Sequence, residues 1–212
     1  MILTEPSDQV NSDGPCYDWD PPSGGAAAWA NWGPGVRFVL VEKIVEIEPG
    51  RRARGYRTLS PDADYYQDHM PAYPVEPGVL ILESMAQLGG RLVQQSVRQA
   101  SGRDVLPMLA MVDGAQFRRP VRPPCRLDLL AEIQSLRATR ARVKAAAQVD
   151  GETVASATIT YVLVGLDHDA AGIGPESLSI IREWGQRTWD EMTAGTVPDN
   201  AADATAGKPA KE

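Results

Sequence analysis

Cysteine and histidine are scarce in this chain, with two of each in 212 residues. Cys16 and Cys125 cannot build a disulfide framework, and with two histidines they offer no zinc-ligand spacing. A reduced compartment and no metal are expected. Basic charge is also in deficit: the net charge of −7 argues against a nucleic-acid binder, whose footprint is usually basic. Long apolar runs are missing. Nothing approaches the roughly 18–20 residues of a membrane span. The opening Met1-Ile2-Leu3-Thr4-Glu5 lacks the basic start and apolar stretch of a secretory signal. The expectation is a cytoplasmic protein with no membrane attachment. What is present is ordinary: 43 % hydrophobic and 23 % charged residues, enough for a substantial core.

Glycine and proline, 19 and 17 in number, gather in the first 35 residues and in the tail. Residues 1–35 read as an irregular arm, although Trp19, Trp29 and Trp32 are costly to leave in water. Residues 38–47 are rich in β-branched side chains and are stopped by Pro49-Gly50, so they read as a strand. Residues 51–60 form a second strand, and 61–77 a loop. Gly78 then opens a helix in which Leu82, Met85, Ala86, Gly89, Leu92 and Val93 recur at three- and four-residue steps. It is apolar on most sides, so a sheet must wrap it. Further strands are expected at 107–112, 126–136, 140–150 and 153–164, with Asp150-Gly151 as a hairpin turn. This is an α+β layout. The chain divides into the arm 1–35, a core 36–165, a linker and amphipathic C-terminal helix 166–195, and a disordered tail 196–212. On that last helix Ile181, Trp184, Thr188 and Met192 share a face, which should dock on the core.

The chemistry concentrates between Tyr65 and Gln87. His69 sits in a loop fenced by Pro71, Pro74 and Pro77, which restrict where the imidazole points. Gly78 stands at a helix start, whose free N–H groups suit an oxygen gaining negative charge. Glu83 lies five residues further on, among Leu80, Leu82 and Met85. In such surroundings a carboxyl can serve as a proton donor near neutrality. Residue type alone leaves a structural histidine, and a glutamate paired with Arg91, as open readings.

The segment His69, Pro71, Pro74, Pro77-Gly78-Val79-Leu80, Glu83 and Gln87 resembles the signature of the FabZ-type 3-hydroxyacyl-(acyl carrier protein) dehydratases. The His-to-Glu step of fourteen and the His-to-Gly step of nine match that family. Arg37-Phe38-Val39-Leu40-Val41-Glu42-Lys43-Ile44 resembles its first strand. Met111-Val112-Asp113-Gly114-Ala115-Gln116-Phe117-Arg118-Arg119-Pro120-Val121 resembles a later one. The likeness runs over residues 36–164. Asp68, Met70 and Glu76 depart from the usual Gly, Phe and apolar residue, and Arg122-Pro123-Pro124-Cys125 replaces a Pro-Gly-Asp turn. Fatty-acid, polyketide and specialised-lipid pathways all stay open.

The resemblance implies a hot-dog fold, an antiparallel sheet around one long central helix, working as a homodimer with a trimer of dimers as the larger alternative. It implies a site shared between copies, His69 from one and Glu83 from the other, in a tunnel for an acyl-phosphopantetheine arm that arrives with the substrate. No other cofactor is implied. His69 would take the C2 proton of a 3-hydroxyacyl thioester, and Glu83 would protonate the departing C3 hydroxyl. The N–H of Gly78, with Val79 beside it, would hold the thioester oxygen, and Gln87 would support Glu83 or the dimer interface. Glu83, where related dehydratase-isomerases carry Asp, points to dehydration without isomerisation. The resemblance also implies strain around His69-Met70-Pro71, with a cis bond before Met70.

From 118 to 144, Arg118, Arg119, Arg122, Arg126, Arg137, Arg140, Arg142 and Lys144 face only Asp128 and Glu132. This asymmetry is either a solvated strand face or a dock for an acidic acyl carrier protein, with Arg118, Arg119 and Arg122 its centre. Cys125 has no paired base and is no nucleophile, and His168 reads as a solvated loop residue. The competing functions are a hot-dog acyl thioesterase and a non-catalytic hot-dog partner subunit. Retention of both His69 and Glu83 favours dehydration.

Overall fold

The computed structural model describes residues 38–70, 72–166 and 175–195. The expected arm 1–35 with Cys16, the tail 196–212, Pro71 and His168 lie outside the described residues.

Six antiparallel strands form one sheet: β1 (Lys43–Glu48), β2 (Arg52–Leu59), β3 (Val105–Phe117), β4 (Cys125–Leu136), β5 (Arg140–Val149) and β6 (Glu152–Gly165). Their spatial order is β1-β2-β4-β5-β6-β3. The turns are chemically legible. Gly50, at φ 81, closes the β1–β2 hairpin, and Asp150 and Gly151, at φ 53 and 79, close β5–β6 as a two-residue turn with both φ positive. Strand β5 shows why its cations are there. Ala141, Val143, Ala145 and Ala147 are buried on one face, while Arg140, Arg142 and Lys144 alternate with them on the other. Strand β3 is longer than expected because register shifts at Leu109/Met111 and Asp113/Gln116 carry pairing past the polar Asp113-Gly114 step.

The sheet wraps the 24-residue helix α2 (Gly78–Ser101), which follows a single helical turn, α1 (Tyr65–Asp68). Ile81, Met85, Leu88, Leu92, Val93 and Val97 of α2 are buried in the core with Leu127, Leu129, Val143 and Ile159. The helix stops at Gly102, which takes the left-handed conformation (φ 69) and returns its N–H to the Arg98 carbonyl. No helix among the described residues is long and apolar enough to cross a membrane.

The last helix, α3 (Pro175–Thr193), packs on this core. Leu178 is buried with Leu166, beside Leu106, Val164 and Ile181. Met192 joins the main core with Trp189 against it. Trp184 departs from the expected buried face. It is 44 % exposed, because its ring faces the Arg91 guanidinium at 5.4 Å instead of the apolar interior.

One close approach fixes the helix against the sheet. Tyr161 of β6 is 2 % exposed, and its hydroxyl donates to the Ala86 carbonyl at 2.7 Å. Gly89 makes room for it, since a Cβ there would lie 2.6 Å from the Tyr161 oxygen. Burial, and then the Glu83 charge, push the Tyr161 pKa up, so it remains a donor. Gly89→Ala should therefore displace the tyrosine and cost about 1–3 kcal/mol, the usual weight of overpacking. Urea unfolding monitored by circular dichroism should show a lower midpoint at unchanged slope.

Candidate active site

His69 follows α1 directly, and its N–H donates to the Tyr65 carbonyl at 2.9 Å. Its imidazole is half-buried and makes no hydrogen bond among the described residues. The next residue carries the strain. Met70 has φ 52, a left-handed conformation uncommon outside glycine, stabilised by the Tyr73 N–H donating to its carbonyl at 2.8 Å. The cis bond expected before Met70 is not found, and the cis peptide among the described residues is Pro123-Pro124. The chain reverses here through a positive φ.

The loop is tied down by a residue whose sequence context marks it only as a departure. Glu76 is 2 % exposed. Its carboxylate pairs with Arg57 of β2 at 2.8 Å and accepts hydroxyl bonds from Tyr65, at 2.9 Å, and from Tyr66. Arg57 also donates to the Tyr65 oxygen at 3.0 Å. The Glu76 N–H donates to the Val121 carbonyl at 2.8 Å. Burial first, and the neighbouring carboxylate in part, raise the pKa of both tyrosines and keep them protonated. A buried carboxylate is tolerated here because every partner it needs is in place. The result is that both ends of the loop carrying His69 are held to the sheet.

At the start of α2 the N-cap is Pro77, whose carbonyl accepts from Leu80 and Ile81. The Gly78 and Val79 N–H groups, at the first two helical positions, have no acceptor within the helix. Gly78 packs tightly against a side chain of β3. A Cβ there would meet the Phe117 ring at 3.1–3.2 Å. Five residues on, Glu83 is half-buried and accepts from Gln87 at 3.0 Å. Gln87 in turn donates to the Phe38 carbonyl at 3.1 Å and accepts from the Leu40 N–H at 2.7 Å. The side chain expected to support Glu83 thus locks it to the segment before β1.

Glu83 opens into a cavity of about 660 Å³ walled by α2, β3 and α3. His69 is not on that wall, and no hydrogen bond joins the two groups within one chain.

A FabA-like domain matches residues 34–158. The chain belongs to the FabA-like family. It is 40 % identical over 126 residues to a 3-hydroxyacyl-[acyl-carrier-protein] dehydratase FabZ of Bacillus velezensis, covering 59 % of this chain and 87 % of that protein. The FabZ protein of Bacillus subtilis is 39 % identical with the same coverage. Among solved structures, a chain of the dehydratase heterocomplex ApeI:P from Xenorhabdus doucetiae superposes with a TM-score of 0.50 at 17 % identity. That match covers 60 % of this chain and 85 % of the other, and it supports the fold alone.

Within and beside the FabA-like domain the three arginines expected to dock a partner are all exposed, but they differ. Arg118 donates to Gln116 at 2.9 Å and has no carboxylate partner among the described residues. Arg119 is engaged with Glu152 at 3.2 Å. Arg122 lies over the Tyr73 ring at 4.2 Å, which braces the His69 loop. Cys125 is half-buried, and burial raises its thiol pKa, which leaves it a poor nucleophile.

Removing one member of the Arg57–Glu76 pair strands the other in a buried site, at a cost of about 3–5 kcal/mol. Glu76→Leu and Arg57→Met should each destabilise on that scale. The double variant should lose clearly less than the sum, because neither charge is then left alone. Equilibrium unfolding of all four proteins in the cycle measures the coupling, and additive losses would show that the pair is not coupled.

Proposed function

We propose that this FabA-like protein dehydrates a 3-hydroxyacyl thioester on acyl carrier protein to the trans-2-enoyl thioester, at a site assembled from His69 of one copy and Glu83 of another. The reading is carried by the helix α2 start, where the Gly78 and Val79 N–H groups, without an acceptor among the described residues, stand one turn before a carboxyl that Gln87 holds on the wall of a half-open cavity. The close identity to the Bacillus FabZ dehydratases agrees with it.

The steps follow from the residues. The thioester carbonyl accepts from the Gly78 and Val79 N–H groups, which favours enolate character at C2. His69 takes the C2 proton, and Glu83, directly or through a water, protonates the C3 hydroxyl as it departs. Positioned proton transfer contributes on the order of 10² to 10⁴ in rate, and each oxyanion donor about 10² to 10³. The atoms balance without a redox or metal partner. The phosphopantetheine arm comes with the substrate, and the setting is the cytoplasm.

Pairing of two copies is supported by strand β3. It is a 13-residue edge strand of the sheet, and Met108, Leu109, Met111 and Phe117 are about half exposed along it. A long apolar edge left unpaired invites association, and a second copy of β3 covers it. Such a homodimer brings the His69 loop of one copy toward the Glu83 cavity of the other.

His69→Ala and Glu83→Ala should each remove most dehydration of a 3-hydroxyacyl carrier protein while remaining dimeric in light scattering. Mixing the two inactive proteins after subunit exchange should restore activity, through heterodimers with one intact site. Failure to recover activity despite demonstrated exchange would exclude the shared site. Free thiol release in place of enoyl product would identify a thioesterase.

Arg118 and Arg122 offer their charge to an acidic carrier protein. Arg118→Glu, which leaves the Arg122–Tyr73 stack intact, should raise KM for carrier-protein substrates several-fold, more at low salt, where screening is least. Turnover of short pantetheine thioesters should change far less. Equal losses on both substrates would assign Arg118 to the fold.

A further inference from the structure

The helix α3 lies outside the FabA-like match, which ends at residue 158. It nevertheless supplies one wall of the cavity into which Glu83 opens, through Ile181, Trp184 and Trp189. Opposite them stands Arg91 of α2, only 9 % exposed. Its guanidinium donates to the Gln94 side chain at 3.0 Å, to the Gly185 carbonyl at 3.3 Å and to the Thr188 hydroxyl. All three acceptors are neutral. Of its five N–H donors, Nε has no partner among the described residues. The carboxylates along the same wall are otherwise engaged. Asp104 sits 3.7 Å from Arg98, Glu183 is exposed and accepts from Ser179, and Glu83 is held by Gln87. Burial lowers the Arg91 pKa, and no anion among the described residues offsets the cost. Buried charges are normally paired, so a cation kept this way at a cavity wall, with no anion among the described residues, marks a place for a further acceptor.

We propose that the cavity between α2, β3 and α3 receives the acyl chain of the substrate, and that Arg91 binds an acceptor oxygen, best a carboxylate, on the part of that chain remote from the thioester. The inference rests on the dehydratase reading of Glu83. Glu83 and Arg91 are eight residues apart on one helix, which is about 12 Å along the axis at 1.5 Å per residue. That span suits a medium-length chain whose C3 lies at Glu83. A volume near 660 Å³ falls within the range of small-molecule pockets. The preferred substrates are then 3-hydroxyacyl thioesters with an oxygenated far end, and plain alkyl chains are disfavoured because they leave the guanidinium desolvated without a charged acceptor and its Nε without a partner.

The test compares 3-hydroxyacyl-pantetheine thioesters of matched medium length ending in methyl, ketone or carboxylate, with 3-hydroxybutyryl-pantetheine as a chain too short to reach Arg91. The full-length protein should show kcat/KM about 10- to 100-fold higher for the carboxylate end than for methyl, the weight of a hydrogen bond to a charged group. A ketone preferred over both would keep the assignment and make the acceptor a neutral oxygen. In Arg91→Met the ratio of carboxylate to methyl should fall to about one. Thr188→Val removes an anchor of α3 but leaves the guanidinium, and it should keep the preference. Loss of preference in Thr188→Val as complete as in Arg91→Met would overturn the proposal, because Arg91 would then act only by pinning the helix. Equal turnover of all three long chains by the unmodified protein, with 3-hydroxybutyryl dehydrated normally, would sink this inference alone. No dehydration of any chain would bring down the dehydratase reading and this inference with it.

Discussion

A helix that is apolar on most sides has to be covered, and the described core is arranged around covering α2. One antiparallel sheet curls over it, with Ile81, Met85, Leu88, Leu92 and Val97 facing Leu127, Leu129, Val143 and Ile159. Burial of apolar surface on this scale, at roughly 25 cal/mol per Å², is a main source of the fold's stability. It also explains where the chemistry sits. A helix sealed along its length can present free backbone N–H groups only at its start, and the Gly78 end, pressed against Phe117, is where the loop carrying His69 arrives.

Each candidate catalytic group is held by a polar clamp that does not itself react. Glu76 binds the His69 loop to β2 through Arg57, Tyr65 and Tyr66. Gln87 binds Glu83 to the backbone of Phe38 and Leu40. Both clamps join different elements of the fold, so the placing of each candidate group depends on tertiary contacts. This is the division expected of a preorganised site, in which supporting hydrogen bonds set the aim of the reacting side chains.

What the sequence made legible was local. The apolar periodicity of α2, the Asp150-Gly151 turn, the alternating β5 and the proline-fenced loop each depend on neighbours a few residues away. The spacing from His69 to Glu83 was legible for the same reason, and it carried the family with it. The Glu76 cluster was not. Its partners lie eleven, ten and nineteen residues away on α1 and β2, and a carboxylate in an apolar position reads as an oddity until Arg57 is seen beside it. One open reading paired Arg91 with Glu83. The guanidinium reaches instead for Thr188, 97 residues downstream, a pairing that no periodicity encodes. Trp184 was assigned to the interior because helical spacing placed it on the apolar face; Ile181 and Met192 of that face do pack inward, while the Trp184 ring lies against the Arg91 guanidinium.

The shared helix has a metric consequence. Glu83 and Arg91 are fixed on one hydrogen-bonded rod, so their separation cannot be tuned by loop motion or domain closure. It changes only in steps of 1.5 Å and 100° as residues are added or removed between them. The cavity floor is in effect a ruler with graduations set by peptide geometry. Its far wall, α3, is a separate part carried outside the FabA-like domain. A lineage could therefore remodel or discard the wall to admit other chains while the graduation at Glu83 stayed where it was.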